Sequence, residues 1–196
     1  MKKIKLSIGL IFLFMLSSCL AAGVPYTSNP RTLTIYGNTL IEQGRVWQAV
    51  NMYDLALEKY TKKNDKIGMG AIYIKQGNLY RDDINITREG VDCTRGAKRG
   101  IFYNCADYLK AIENYQKAIE ILQVADATND KYEFLRLSHT SIARLKEDDD
   151  KLTACNNYKL AFDYYNKAKK IDASYEVKMR GGGNFEEFVR ERTRTC

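Results

Sequence analysis

LTIYGNTLIEQGRVWQAVNMYDLALEKY, residues Leu33 to Tyr60, carries two helical signatures parted by a glycine. In the first part, Leu33, Tyr36, Leu40 and Ile41 recur at helical spacing between Leu33 and Glu42, which predicts one amphipathic helix. Gln43-Gly44 breaks the pattern. Val46, Ala49, Val50, Tyr53, Ala56, Leu57 and Tyr60 then mark a second apolar face. Two helices of this length joined by a glycine turn make a helical hairpin.

The signature returns further along the chain. Gly77-Asn78 with Tyr80 echoes Gly37-Asn38 with Leu40, 40 residues later. The second-helix pattern, Ala49, Tyr53 and Ala56, recurs as Ala111, Tyr115 and Ala118 within the run Ala106 to Leu122. It recurs again as Ala161, Tyr165 and Ala168 within Asn156 to Ile171. Three occurrences of Ala-x-x-x-Tyr-x-x-Ala, each preceded by a candidate helix, argue for an array. Together with Gly37 and Gly44, these residues resemble the tetratricopeptide repeat. The resemblance implies an all-α array of about three helical hairpins, with small residues where paired helices touch. On that pattern Gly37 and Ala49 let two helix axes approach, and Tyr53 fills the gap to the neighbouring hairpin.

The spacing departs from the family's period of about 34 residues. Gly37 and Ala49 are 12 residues apart, whereas Gly77 and Ala111 are 34 apart, so about 22 residues are inserted, roughly 83–104. Cys93 falls within this polar insertion and Cys105 directly follows it, so a disulfide between them would tie it down. The first helix of the third hairpin, about Asp130 to Lys146, lacks the glycine. Its acidic turn, Glu147-Asp148-Asp149-Asp150, lacks the ligand alternation and glycine of a calcium loop and reads as a solvated turn. After Ile171 a further capping helix is expected, then a Gly181-Gly182-Gly183 hinge and a short helix to about Arg192, with Asn184 as its N-cap.

The N-terminus carries an address. Lys2, Lys3 and Lys5 precede an apolar run from Leu6 to Leu16, 11 residues that fall short of the roughly 20 needed to span a bilayer. Charge followed by a short apolar run is the layout of a secretory signal peptide. Leu16-Ser17-Ser18-Cys19 then resembles the lipobox of bacterial lipoproteins. That resemblance implies cleavage before Cys19 and acylation of it, and several acyl chains hold far better than the single chain that binds marginally. Leu20, in place of a retaining aspartate, favours the outer membrane, facing the periplasm, if the cell is Gram-negative. The expected divisions are therefore 1–18 (signal), 19–31 (lipidated linker), 32–174 (array with its insertion) and 175–196 (C-terminal helix and tail).

Loss of the signal removes three of 31 basic residues, so the net charge falls from +7 to 28 − 24 = +4. Dispersed charge in an exported chain argues against nucleic acid and for an acidic protein or an anionic membrane surface as partner. Besides Cys19 there are Cys93, Cys105, Cys155 and Cys196. Four cysteines in an oxidising compartment read as two disulfides with three possible connectivities. Proximity pairs Cys93 with Cys105 and leaves Cys155 for Cys196. With no Cys-x-x-Cys and one histidine, His139, zinc is disfavoured.

The chain offers no hydrolase elbow, P-loop or dinucleotide turn, so a non-enzyme with no cofactor beyond the lipid on Cys19 is expected. His139, with Leu135, Leu137 and Ile142 near it, reads as structural. The tetratricopeptide resemblance implies a concave groove lined by first helices, in which Asn38 and Asn78 match asparagines that hold a partner's carboxylate. The lysine or arginine of that clamp is replaced by Thr34 and Ile74, leaving Lys75 and Arg81 as stand-ins; otherwise the asparagines are only polar helix faces. The function expected is a membrane-anchored periplasmic scaffold that holds another envelope protein, through a helix or extended peptide, during assembly of a pilus, secretion or outer-membrane machine. The alternative is an immunity or inhibitor lipoprotein that blocks a toxin or lytic enzyme.

Overall fold

The computed structural model describes residues 27–81, 107–179, 182–194 and 196. Cys19 and the signal, the insertion and the Cys93–Cys105 pair fall outside them. Seven helices and no strand are present among the described residues. They are α1 (Pro30–Glu42), α2 (Val46–Lys62), α3 (Lys66–Arg81), α4 (Tyr108–Gln123), α5 (Asn129–Lys146), α6 (Lys151–Ile171) and α7 (Phe185–Thr193).

Local chemistry sets the ends. Pro30 opens α1, where its missing N–H costs nothing, and the Asn29 side chain accepts from the Arg31 N–H at 2.9 Å. Gly44, at φ 73°, makes the turn into α2. Asp107, Thr128, Asp150 and Asn184 each cap the helix that follows through a side-chain oxygen. The Asn184 cap was legible in the sequence. No helix fills the span after Ile171; a turn and one isolated bridge, Lys178 to Asn184, lead into α7, so α7 alone is the cap.

The helices pack as three hairpins, α1 with α2, α3 with α4 and α5 with α6, joined in series through α2–α3 and α4–α5. First helices also meet directly, α3 against α5, and α7 closes the end on α6. The fold is the helical hairpin array expected.

The second helices share one register. Ala49, Ala111 and Ala154 each lie three residues into their helices, counted from Val46, Tyr108 and Lys151. Tyr53, Tyr115 and Tyr158 follow four residues later, all buried, and then Ala56, Ala118 and Ala161. The third hairpin therefore repeats the motif at Ala154, Tyr158 and Ala161, one heptad before the occurrence that stood out in the sequence. Tyr165 and Ala168 continue the same buried stripe into the longer α6, where α7 docks.

Glycine is the other half of the motif. A Cβ on Gly37 would collide with the Tyr53 ring, and one on Gly77 would sit 2.6 Å from Cε1 of Tyr115. The missing side chain is therefore a seat for an aromatic ring of the same hairpin, more than a point of backbone approach. Tyr53 shares its core cluster with Ile72 and Leu79, so it also faces the neighbouring hairpin as expected. Because Gly37 holds the inward position, Tyr36 is turned out and exposed, contrary to the amphipathic face expected of it.

Helix α3 has no exposed residue, and Gly68, Gly70, Ile72, Ile74, Gly77 and Leu79 are buried. Gly68 receives the Tyr60 ring from α2, and a Cβ on Gly70 would lie 2.6 Å from Cγ of fully buried Leu122 on α4. Gly to Ala inside a helix ordinarily gains about 0.5–1 kcal/mol. Here the clash falls on a branch carbon held by packing, and overpacking costs about 1–3 kcal/mol. Gly70→Ala is therefore expected to destabilise the chain by about 1 kcal/mol or more in urea unfolding; a gain in stability would refute the close seat.

Candidate functional site

The first helices leave a concave groove of about 810 Å3 whose walls are α3, α5 and α7 with the loop before it. Asn78 and Arg81 enter from α3. Asn78 is fixed from behind, because the Tyr115 hydroxyl donates to its Oδ1 at 2.7 Å. The same arrangement binds Tyr53 to Asn38 Oδ1 at 2.9 Å in the first hairpin. Burial pushes the Tyr53 hydroxyl up to about 12, so it stays a donor at any ordinary pH.

From α5 come Arg136, Ser141 and Arg144. Arg136 is 4% exposed and is held by two bonds to the Glu133 carboxylate, at 2.9 and 2.6 Å, and by the Tyr175 hydroxyl at 3.3 Å. Tyr175 donates in turn to Glu133. A buried guanidinium needs such pairing, since removing its carboxylate would leave an uncompensated charge. Arg136 also lies over the Phe185 ring, 4.8 Å from its centroid.

Helix α7 supplies Phe188 and Arg192. Arg144 and Arg192 both lie over Phe188, at 5.2 and 5.6 Å, so one ring on the cap gathers a cation from each wall. Arg192 donates to Glu147 at 2.9 Å, and Glu147 also accepts from Tyr158. Burial first, then Glu147, raises the Tyr158 pKa. The acidic turn is thus split: Asp148, Asp149 and Asp150 are exposed as expected, while Glu147 is a tie between α5, α6 and α7. Five basic residues line the groove, Arg81, Arg136, Arg144, Lys178 and Arg192, against Glu187 and Glu191.

Of the four residues expected in a groove, two are brought together there, Asn78 and Arg81. Asn38 lies on α1, outside this groove, and Lys75 does not line it either; burial lowers the Lys75 pKa. The asparagine oxygens are engaged by tyrosine, so their first role is within the hairpin. Arg136, Arg144 and Phe188 were missed. The spacing of Phe185, Phe188 and Val189 after the Asn184 cap was the available signal for an apolar face on α7. The expected Cys155–Cys196 disulfide is present, with 6.1 Å between Cα atoms.

No protein-family model, curated protein or solved structure matches the chain. Among the described residues, no group of three or more His, Cys, Asp or Glu is placed to hold a metal, and no helix is long and apolar enough to cross a membrane.

His139 lies buried behind the groove. Its Nδ1 faces Asn157 Oδ1 at 2.8 Å, its ring stacks on Tyr164 at 5.5 Å, and its Nε2 is buried with no partner. Burial lowers its pKa, outweighing the Asn157 bond. A histidine with a depressed folded pKa binds its proton more readily in the unfolded chain. Stability is then lost as pH falls from the unfolded value of about 6.5 toward the lower folded one. His139 is the one histidine in the chain. Urea unfolding from pH 7.5 to 5.5 is expected to show this loss, and His139→Gln to flatten it; an unchanged slope in the variant would contradict the assignment.

Proposed function

We propose that this chain is a lipid-anchored envelope protein, held at the membrane through Cys19, whose hairpin array is a binding scaffold for another envelope protein. The observation that carries the scaffold reading is the groove itself, which crosses two successive first helices and the cap. A groove of that form accepts a helix or an extended peptide. Arg144 and Lys178 on its lining, beside Arg136 and Arg192 that are already paired with Glu133 and Glu147, favour an acidic segment as the occupant, since complementary charge steers encounter and sets register. The envelope address rests on the basic start, the short apolar run and Leu16-Ser17-Ser18-Cys19. A scaffold without chemistry of its own gains most from being held beside the machine it serves.

Two measurements in living cells test the reading together. Labelled palmitate is expected on the wild-type chain and absent from Cys19→Ser. A photo-crosslinker at Ser141 is expected to capture an envelope protein, whereas one at Leu160, exposed on α6, is not. Label retained by Cys19→Ser would overturn the anchor. Capture from Leu160 and none from Ser141 would overturn the groove. Capture of a toxin at Ser141 would favour the immunity reading.

A further inference from the structure

We propose that the Cys155–Cys196 disulfide is a redox latch on the groove: it fastens α7 as the third wall, and its reduction lets that wall swing away. The inference concerns regulation of the binding site proposed above and rests on that groove being the binding surface.

Without the disulfide, α7 is held by side-chain contacts alone. The helix has nine residues, below the roughly 12–15 at which an isolated helix becomes even marginal in water. Its apolar anchors are Phe185 and Val189, buried with Tyr158 and Tyr165, and Phe188, edge-on to Tyr158. Of its ion pairs, Lys169 with Glu186 is exposed on both sides and adds little, while Arg192 meets the half-buried Glu147. The link into α7 is made to pivot. Gly182 and Gly183 hold φ of 89° and 82°, and Gly182 has open space around it. Cys196, just beyond α7, is bonded across to Cys155 near the start of α6, at the far end of α7 from this hinge.

The chemistry is ordinary exchange with a dithiol as reductant. Cys196 is exposed whereas Cys155 is 8% exposed, so a thiolate of the dithiol attacks Cys196 Sγ. The S–S bond breaks and its electron pair leaves on Cys155, which takes a proton. The second thiol of the dithiol then displaces Cys196, giving two protein thiols and one oxidised dithiol. Two electrons pass from the dithiol to the protein.

When the latch opens, the groove loses Phe188 and Arg192, and Arg144 loses the ring it stacks on. The first two hairpins keep their own cores, because the clusters within α1 to α4 do not involve the tail, whereas Tyr158 and Tyr165 of α6 lose the cover of Phe185 and Val189.

The test is amide hydrogen exchange on the full chain, with and without dithiothreitol, beside a Cys155→Ser/Cys196→Ser variant that leaves Cys93 and Cys105 in place. Expected is an acceleration of about tenfold or more in residues 185–193 on reduction, matched by the variant, with less than about twofold change in α1 to α4. Unchanged protection of α7 would overturn the latch, as would acceleration of all helices together, which would make the disulfide a global staple. Faster exchange on reduction that the double variant fails to reproduce would overturn it too. Because the readout is α7 itself, the result stands apart from whether the groove captures a partner.

Discussion

A tyrosine ring resting on a glycine, with its hydroxyl bonded to the next residue, is the contact on which the rest of this chain depends. It occurs as Tyr53 on Gly37 with Asn38, and as Tyr115 on Gly77 with Asn78. Each part constrains the others. The glycine must lack a side chain for the ring to enter, and the ring fills the space that glycine leaves, so no cavity remains to be penalised. The hydroxyl is buried and must find an acceptor, which the asparagine supplies. One contact therefore sets the distance between two helices and their rotation about their axes. Repeated, it sets how first helices line up beside one another.

The groove follows from that alignment. Because Asn78 is held from behind by Tyr115, the first helix presents a fixed polar edge where α3 meets α5. The third hairpin departs from the pattern. It has no glycine, and Tyr158 bonds to Glu147 instead of an asparagine. That substitution links the end of the array to the cap, since Glu147 also holds Arg192. Nearer the start of α5, Glu133 holds Tyr175 of the loop that leads into the cap. The cap is thus tied through Glu147, through its own Phe185 and Phe188 and by a disulfide, and becomes part of the groove instead of a mere lid on the core.

The array and the order of its hairpins were legible in the sequence, because helical periodicity and glycine breaks are local signals, and the Cys155–Cys196 pair followed from cysteine spacing. The register of the third repeat was not. Ala154, Tyr158 and Ala161 overlap Ala161, Tyr165 and Ala168, and both sets satisfy the same spacing. Only the position where α6 begins separates them. Tyr36 misled for a related reason: an aromatic at helical spacing looks like core until a glycine beside it receives a ring from elsewhere. The groove was legible only in part. Asn78 and Arg81 were found by their place in a motif, but Arg136, Arg144 and Phe188 meet through a tail that folds back over 40 or more residues, and no local pattern announces such a contact.

The most direct test of the central contact is a double-mutant cycle in urea unfolding between Gly77→Ala and Tyr115→Ala. In the wild-type background the alanine meets the ring, and the change should cost about 1–3 kcal/mol. Once the ring is gone the same alanine has room and should be neutral or stabilising, giving a coupling of at least about 1 kcal/mol. Effects that simply add, within about 0.5 kcal/mol, would show that ring and glycine do not depend on each other and would contradict the account.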